Sequence, residues 1–277
     1  MIESSLSKAK WKIQYHACRG SQRLLNQFGL NLVKTPRTNY PERFTDADID
    51  IVEHENFEII NQVLPYTLTS PAKLFALIEA VKYVINGEIR GAIVECGVWR
   101  GGSMMAAALT LIKMNAKKRN LFLYDTYAGM TEPMEEDVNL FREKASKLYS
   151  QSIKKKQGLD ICSWHNASLE EVKSNLLNLG YPNDRIFFIQ GKVEDTIPLQ
   201  IPENISILRL DTDFYESTRH ELDHLFPRLS EGGVLIVDDY GFWQGQKKAV
   251  DEYFRKNEVR MLLNRIDYLG RVGIKMP

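Results

Sequence analysis

The chain has 277 residues, of which 44% are apolar and 26% are charged, as is usual for a soluble globular protein. Its 36 basic side chains equal its 36 acidic ones, so the chain as a whole carries no net field that would attract nucleic acid. A small or neutral substrate fits this balance better. The three cysteines are widely spaced and form no C-x-x-C pair, which is typical of a reducing compartment.

Membrane and export signals are absent from the sequence. No stretch reaches the roughly 18 uninterrupted apolar residues of a membrane-spanning helix, and the N-terminus lacks the apolar core of a signal peptide. We therefore expect a cytoplasmic protein without stable membrane insertion.

The N-terminal region reverses its charge along the chain. Residues 1–40 carry seven basic side chains against one acid, whereas residues 42–58 carry seven acids against one arginine. Two interpretations remain open: a basic arm that contacts an anionic membrane or another subunit, or a solvated amphipathic helix.

Regular helix and strand signals begin at residue 70. Ser70 and Pro71 predict the N-cap and first turn of a helix, and Ser168 with Glu171 predicts a second capped helix. Short apolar strands are predicted at 92–96, 120–125, 185–191, 205–211 and 234–239, and a hairpin over 259–276. This alternation of strands and helices predicts an α/β fold with a doubly wound, parallel sheet covered on both faces.

Three aspartates lie at the ends of two predicted strands. Asp211 follows ISILRL, and the pair Asp238 and Asp239 follows VLIV. Because the carboxyl ends of parallel strands meet at the ligand-binding edge of such a sheet, we expect these carboxylates to lie together. Their hard oxygen atoms suit a divalent cation. The alternative is that they cap neighbouring helices.

A glycine-rich turn over 94–103, VECGVWRGGS, follows the first predicted strand. Its glycines let the backbone approach a ligand, although it is neither G-x-G-x-x-G nor a P-loop. Glu95 suits a cationic ligand, and Asp125 stands where doubly wound folds bind ribose hydroxyls. The segment 191–196 is placed to flank an adenine ring. A plain strand-to-helix turn, and a surface role for Glu194, remain open.

The histidines and one tryptophan leave further alternatives. His220 and His224 are four residues apart on a predicted helix, a metal-binding spacing, but no third ligand accompanies them, so an ordinary amphipathic helix is favoured. His165 lies in the polar segment 127–167, which is long enough for a lid or substrate loop with its own helix. Trp243, with Gln244, is equally consistent with sugar binding and with core packing.

Four segments together resemble the macrocin O-methyltransferase family. They are VECGVWRGGS, GKVEDTIP, LRLDTDFYEST and LIVDDYGFWQGQKKAVDEY, and the resemblance covers about residues 60–260. It implies a class I methyltransferase with a Rossmann-like, seven-stranded, mostly parallel sheet whose last strand is antiparallel. It also implies S-adenosylmethionine and Mg²⁺ as cofactors, sugar hydroxyls as acceptors and a homo-oligomer. The expected domains are a helical extension over 1–65, serving as lid and oligomerisation arm, and a methyltransferase domain over 66–277.

The resemblance also assigns roles to individual residues. The implied metal ligands are Asp211, Asp238 and Asp239, with Asp213 as a supporting carboxylate, and His165 is the implied general base, with an exposed loop histidine as the alternative. The implied cofactor-binding residues, from the lid segment to the adenine border, are Tyr66, Thr67, Ser70, Glu95, Gly97, Gly101, Gly102, Ser103, Asp125, Val193 and Glu194.

The sequence thus predicts an O-methyltransferase that acts on a sugar hydroxyl of a natural-product glycoside or a surface polysaccharide. A catechol-like phenol is an alternative acceptor, because its vicinal hydroxyls suit the same metal, and a flat aromatic slot near 127–165 would favour it. A cofactor-binding assembly partner without catalysis is the alternative from another class.

Overall fold

A computed structural model describes residues 54–156 and 159–276 of the chain. By internal contacts the chain divides into two compact units, Met1–Asn61 and Gln62–Pro277. The second unit contains the whole sheet and every predicted site residue. Most of the predicted extension over 1–65, including the charge reversal, lies outside the described residues.

The central sheet has seven strands in the order β5-β2-β1-β6-β7-β9-β8. Five neighbouring strands are parallel, and β9 runs antiparallel to both β7 and β8. The strands of this sheet are β1 (Ala92–Cys96), β2 (Leu121–Asp125), β5 (Ile186–Gln190), β6 (Ile205–Leu210), β7 (Leu229–Val237), β8 (Asn264–Arg265) and β9 (Arg271–Ile274). The predicted doubly wound sheet and its terminal hairpin are confirmed.

Two of the described α-helices precede β1, and the others lie between strands of this sheet along the chain. The helices are α1 (His54–Val63), α2 (Pro71–Asn86), α3 (Gly102–Lys113), α4 (Ala145–Ser152), α5 (Leu169–Leu177), α6 (Val193–Thr196), α7 (Tyr215–Leu225) and α8 (Gln244–Lys256). Short 3₁₀ turns cover Leu64–Tyr66, Asn183–Arg185 and Phe226–Arg228. No helix in the described part of the chain is both long and apolar enough to cross a bilayer.

Side-chain caps start the helices that the sequence marked. The Ser70 hydroxyl accepts a hydrogen bond from the Lys73 amide at 3.3 Å, and Pro71 occupies the first turn of α2. The Ser168 hydroxyl accepts one from the Glu171 amide at 3.2 Å, at the start of α5. These bonds satisfy amides that have no partner within the helix, and both predicted caps are confirmed.

The segment between β2 and α5 contains the predicted helix, α4, and a two-stranded antiparallel ribbon that the sequence did not predict, β3 (Ile153–Lys156) with β4 (Leu159–Cys162). The buried Asp137 anchors this segment to the sheet layer. Its carboxylate accepts hydrogen bonds from the Met134 amide at 2.7 Å and from the Tyr215 amide, at the start of α7, at 2.8 Å. The segment is therefore held close to the ends of β6 and β7.

The buried strands bring three chain segments together at the carboxyl edge. Every residue of β1 and β6 is buried. Just beyond the strands, the Asp211 amide donates to the Cys96 carbonyl at 2.8 Å, and the Asp238 amide donates to the Leu210 carbonyl at 3.0 Å. The residues that follow β1, β6 and β7 are consequently neighbours.

Candidate active site

Four aspartates converge at this edge of the sheet. Carboxylate oxygens of Asp211, Asp213 and Asp239 lie within 4.8 Å of one another, an arrangement that could hold a metal ion. Asp238 lies beside this group, because the Arg209 guanidinium binds both Asp211 and Asp238. Burial, together with the neighbouring carboxylates, raises the pKa of Asp211 and of Asp213 well above the usual range. A cation would relieve that repulsion.

Arg209, at the end of β6, is the central positive charge of the site. Its guanidinium donates hydrogen bonds to Glu95 at 2.5 Å and to Asp211 at 2.7 Å through one nitrogen. Through the other it donates to Asp238 at 2.5 Å and to Thr69 at 2.7 Å. One buried arginine therefore ties the ends of β1, β6 and β7 to the segment before α2.

Lys73 supplies a second buried cation from the first turn of α2. Its ammonium lies 2.6 Å from Asp238 and 3.3 Å from Asp239. The side chain is only 5% exposed, although burial of an unpaired ammonium is costly. Attraction to these two carboxylates outweighs that desolvation and raises the Lys73 pKa above its ordinary value.

Asp238 differs from the other three aspartates in its contacts. Both oxygens of Asp238 are engaged, one by Arg209 and the other by Lys73, which holds the Asp238 pKa below its usual range despite burial. Asp213, predicted as a supporting carboxylate, takes the third place in the group of three. Asp211, Asp213 and Asp239 are therefore close enough together to hold a metal ion, whereas Asp238 is bound by both cations.

The predicted glycine turn after β1 is tightly packed against the protein itself. Gly97 has φ +84°, and a Cβ there would lie 2.1 Å from the Asp211 carbonyl oxygen. A Cβ on Gly102 would lie 2.6 Å from the Tyr66 carbonyl oxygen. Gly101, between them, also has a positive φ, of +90°. These glycines thus permit the turn to approach both the metal group and the segment before α2.

Glu95 presents an unused acceptor next to this turn. One of its carboxylate oxygens binds Arg209, while the other is buried and has no hydrogen-bond partner. Burial raises the pKa of Glu95 to about 7, although the Arg209 guanidinium opposes the shift. A buried carboxylate oxygen without a donor fits a cationic group, such as the ammonium of an amino-acid moiety.

Asp125, predicted to bind ribose, organises two turns of the protein. One carboxylate oxygen accepts hydrogen bonds from the Val98 amide at 2.6 Å and the Trp99 amide at 3.0 Å. The other accepts one from the Tyr127 amide at 2.7 Å. The carboxylate therefore fixes the glycine turn, and a carboxylate offers about four acceptor sites, so a ribose contact stays compatible with these bonds.

The predicted lid residues lie in the segment that leads into α2. Tyr66 ends a 3₁₀ turn, and the buried Thr67 accepts the Thr69 amide at 3.0 Å. Ser70 caps α2 and donates to Asp267 at 2.7 Å. Ser103, at the start of α3, is buried. This segment is thus packed on the glycine turn, where Gly102 approaches Tyr66 and Thr67.

The predicted adenine border lies at the start of α6. Val193 is buried in the main core, on the same side of the sheet as α7. Glu194 is partly buried, and one of its oxygens is enclosed without a partner. Such an oxygen is available to a donor on a ligand.

His165 is exposed, and its ring makes no hydrogen bond within the described part of the chain. Its ring centroid lies 5.7 Å from that of Trp164. The two histidines on α7 contact main-chain oxygens instead. The His220 ring lies 2.8 Å from the Ile197 carbonyl oxygen, and the His224 ring lies 2.9 Å from the His220 carbonyl oxygen. Among the described residues, neither belongs to a group of three side chains that could hold a metal ion.

An aromatic cluster flanks the carboxylates. Trp243 is buried, with its ring centroid 5.6 Å from that of Phe214 and 5.1 Å from that of Phe242. Trp164 completes the cluster at 6.0 Å from Trp243. Of the two interpretations of Trp243, the structure supports core packing.

Arg209 and Lys73 were missed by the sequence interpretation, although signals were present. Arg209 interrupts the apolar run ISILRL, and a charge in a strand buried on both faces requires partners. Lys73 stands four residues before the buried Leu77, on the packed face of α2. Buried cations next to the acidic strand ends would have indicated an ion network.

The sheet and this acidic edge define a class I methyltransferase. The chain belongs to the macrocin O-methyltransferase (TylF) family, whose profile matches residues 10–272. It is therefore an O-methyltransferase that uses S-adenosylmethionine. Because this family consists of enzymes, the alternative of a cofactor-binding assembly partner without catalysis has no support.

Two relatives each match about three quarters of this chain. Demethyldecarbamoylnovobiocin O-methyltransferase of Streptomyces niveus is 30% identical over 205 residues, which are 74% of each chain. Mycinamicin III 3''-O-methyltransferase of Micromonospora griseorubida is 28% identical over 205 residues, 74% of this chain and 76% of that one. The solved structure of the O-methyltransferase NovP aligns with a TM-score of 0.67 and 29% identity, covering 79% of this chain and 88% of that one.

Proposed function

We propose that this enzyme methylates a sugar hydroxyl of a natural-product glycoside or surface polysaccharide in a Mg²⁺-dependent reaction. The observation that carries the proposal is the carboxylate group of Asp211, Asp213 and Asp239 beside the glycine turn. The names of the relatives support the acceptor class, because they include a 3''-O-methyltransferase of mycinamicin III and a 4'-O-methyltransferase of a rhamnosyl tetracenomycin.

A sugar hydroxyl needs activation because its pKa lies far above neutrality. Bound Mg²⁺ would supply a Lewis acid that stabilises the developing alkoxide. The chain's own residues supply the hard oxygen donors. Asp211 and Asp239 belong both to the set predicted from the sequence and to the group of three in the structure, and the geometry favours Asp213 as the third donor. Arg209 and Lys73 hold Asp238 beside them, so the donors are fixed before the acceptor arrives.

The cofactor site lies on the other side of the glycine turn. S-adenosylmethionine supplies the electrophilic methyl group. Glu95 offers its unpartnered oxygen to the amino group of the methionine moiety, while Asp125 holds the turn in shape and faces the ribose. Tyr66, Thr67 and Ser70 cover the methionine end, and Val193 with Glu194 borders the adenine. Because Gly97 touches the Asp211 carbonyl, the methyl donor and the metal would be adjacent.

The aromatic cluster offers no slot in which a flat catechol would be sandwiched between two rings. Such a slot requires two roughly parallel rings with a gap between them. In the cluster of Trp164, Phe214, Phe242 and Trp243, the ring planes meet at 54° to 86°. Such edge-to-face packing leaves no parallel pair near the carboxylates in the described residues.

A methyl-transfer screen tests this function. Radiolabelled S-adenosylmethionine would be supplied with methyl α-L-rhamnoside, dTDP-rhamnose, demethylated macrolide glycosides and catechol, each with and without Mg²⁺. We expect transfer to at least one glycoside, only with the metal, and little transfer to catechol. Preferential methylation of catechol would overturn the proposed acceptor class.

We retain His165 as the proposed general base, because its neighbour Trp164 contacts Phe214, the residue after Asp213. Replacing His165 with asparagine should lower kcat by about 10²–10⁴-fold, the usual contribution of a general base. Steady-state rates at several pH values would measure this loss. A kcat within threefold of the wild type would exclude His165 as the general base.

A further inference from the structure

The aromatic cluster of Trp164, Phe214, Phe242 and Trp243 is unevenly exposed. Phe214 and Trp243 are 2% and 3% exposed, whereas Trp164 and Phe242 are only partly buried and pack against them. The buried pair therefore forms a support, and Trp164 retains surface that no residue of the cluster covers.

Trp164 lies between the two halves of the active site. On the cofactor side, its carbonyl oxygen accepts a hydrogen bond from the Met130 amide at 3.1 Å, in the chain that leaves the end of β2 just after Asp125. On the metal side, its ring centroid lies 5.9 Å from that of Phe214, which directly follows Asp213. Residue 164 thus lies between the two sides: its backbone binds the chain that follows β2, and its ring packs beside the carboxylate group.

A second contact ties Trp164 to the metal side. Its ring centroid lies 6.0 Å from that of Trp243, whose amide donates to the Asp239 carbonyl at 3.0 Å. The planes of Phe214, Trp243 and His165 are inclined to the Trp164 ring by 66°, 54° and 63°. None of them is stacked flat on it, so a face of the indole is free of a parallel partner within the described residues.

We infer that Trp164 is the acceptor-binding platform of this enzyme, on which the apolar C–H face of the sugar ring rests. This inference builds on the proposed function, since it concerns the same acceptor. A sugar ring has hydroxyls around its edge and C–H groups on its faces, so one aromatic face and a few polar groups suffice to orient it. With the ring on Trp164, the hydroxyls at its edge point toward Asp211, Asp213 and Asp239.

The test compares two substitutions at one position. Trp164→Leu removes the aromatic face but keeps an apolar side chain, whereas Trp164→Phe keeps a smaller aromatic face. Leu148→Ala is the matched control, because Leu148 packs on the same cluster from α4 without belonging to the platform. Thermal unfolding of each variant would confirm that it is folded.

For each glycoside that the wild type methylates, Trp164→Leu should raise KM about five- to tenfold while kcat stays within about twofold. Trp164→Phe should restore part of the affinity, and Leu148→Ala should leave KM near the wild-type value. A KM for Trp164→Leu equal to that of the Leu148→Ala control would overturn the inference.

Acrylamide quenching of tryptophan fluorescence separates this inference from the proposed function. Saturating methyl α-L-rhamnoside should protect the wild type from quenching, and should protect Trp164→Phe clearly less. Such protection would support the platform even if no glycoside were methylated, in which case the proposed function alone would fail. Equal protection, or none, in both proteins would overturn the platform.

Discussion

Replacing Arg209 with methionine is expected to lower the free energy of unfolding by about 3–5 kcal/mol, because the change leaves buried carboxylates without their cation. Glu95 and Asp238 are each within 2.5 Å of the guanidinium, and both are almost fully buried. Methionine preserves most of the length and apolar volume, so the loss reports the charge. Urea unfolding followed by circular dichroism would measure it.

Arg219→Met is the matched control for this experiment. Arg219 also binds two acids, Glu216 and Asp223, but its side chain is 42% exposed on α7. Exposed ion pairs contribute at most about 1 kcal/mol, so this variant should be nearly as stable as the wild type. Equal stability of the two variants would contradict the central role given to Arg209.

Asp239→Asn should reduce kcat/KM by at least about 100-fold in saturating cofactor, since an amide oxygen is a poorer ligand for Mg²⁺ than a carboxylate. The fold should be preserved, because Lys73 keeps its shorter bond to Asp238. Methyl-transfer kinetics and S-adenosylmethionine binding would separate the two effects, with cofactor affinity expected to change little. Full activity of this variant would remove Asp239 from the metal site.

The same assay decides between the two candidates for the third ligand. Asp213→Asn should raise the Mg²⁺ concentration needed for half-maximal activity about tenfold or more. Asp238→Asn should instead chiefly lower the stability of the fold, because Arg209 and Lys73 would lose the negative charge that they share. A larger shift in Mg²⁺ dependence for Asp238→Asn would restore the set that the sequence predicted.

The fold could be predicted because its signals are local. Short apolar strands alternate with helices that begin at serine caps, as at Ser70 and Ser168, and each signal lies within a few residues. The ribbon of β3 and β4 was not predicted, since the segment around it is polar and has neither a clear period of two nor a tight-turn signal.

The site could be predicted only in part, because side-chain direction depends on distant partners. Strand ends placed Asp211, Asp238 and Asp239 together, and the structure brings them together. Which of these aspartates can bind a metal, and which pair with cations instead, depends on Arg209 and Lys73. These two residues come from different elements. Likewise, only the packing of Trp243 against Phe214 and Phe242 shows that Trp243 is buried. The spacing of residues along the chain does not indicate such long-range contacts.

The central claim is that the acidic edge holds a divalent cation needed for methyl transfer. The most direct measurement is the methyl-transfer rate of the wild-type enzyme after dialysis against a chelator, followed by titration with Mg²⁺. We predict a loss of at least about 100-fold in the chelator and full recovery with the metal. An undiminished rate in excess chelator would contradict the account.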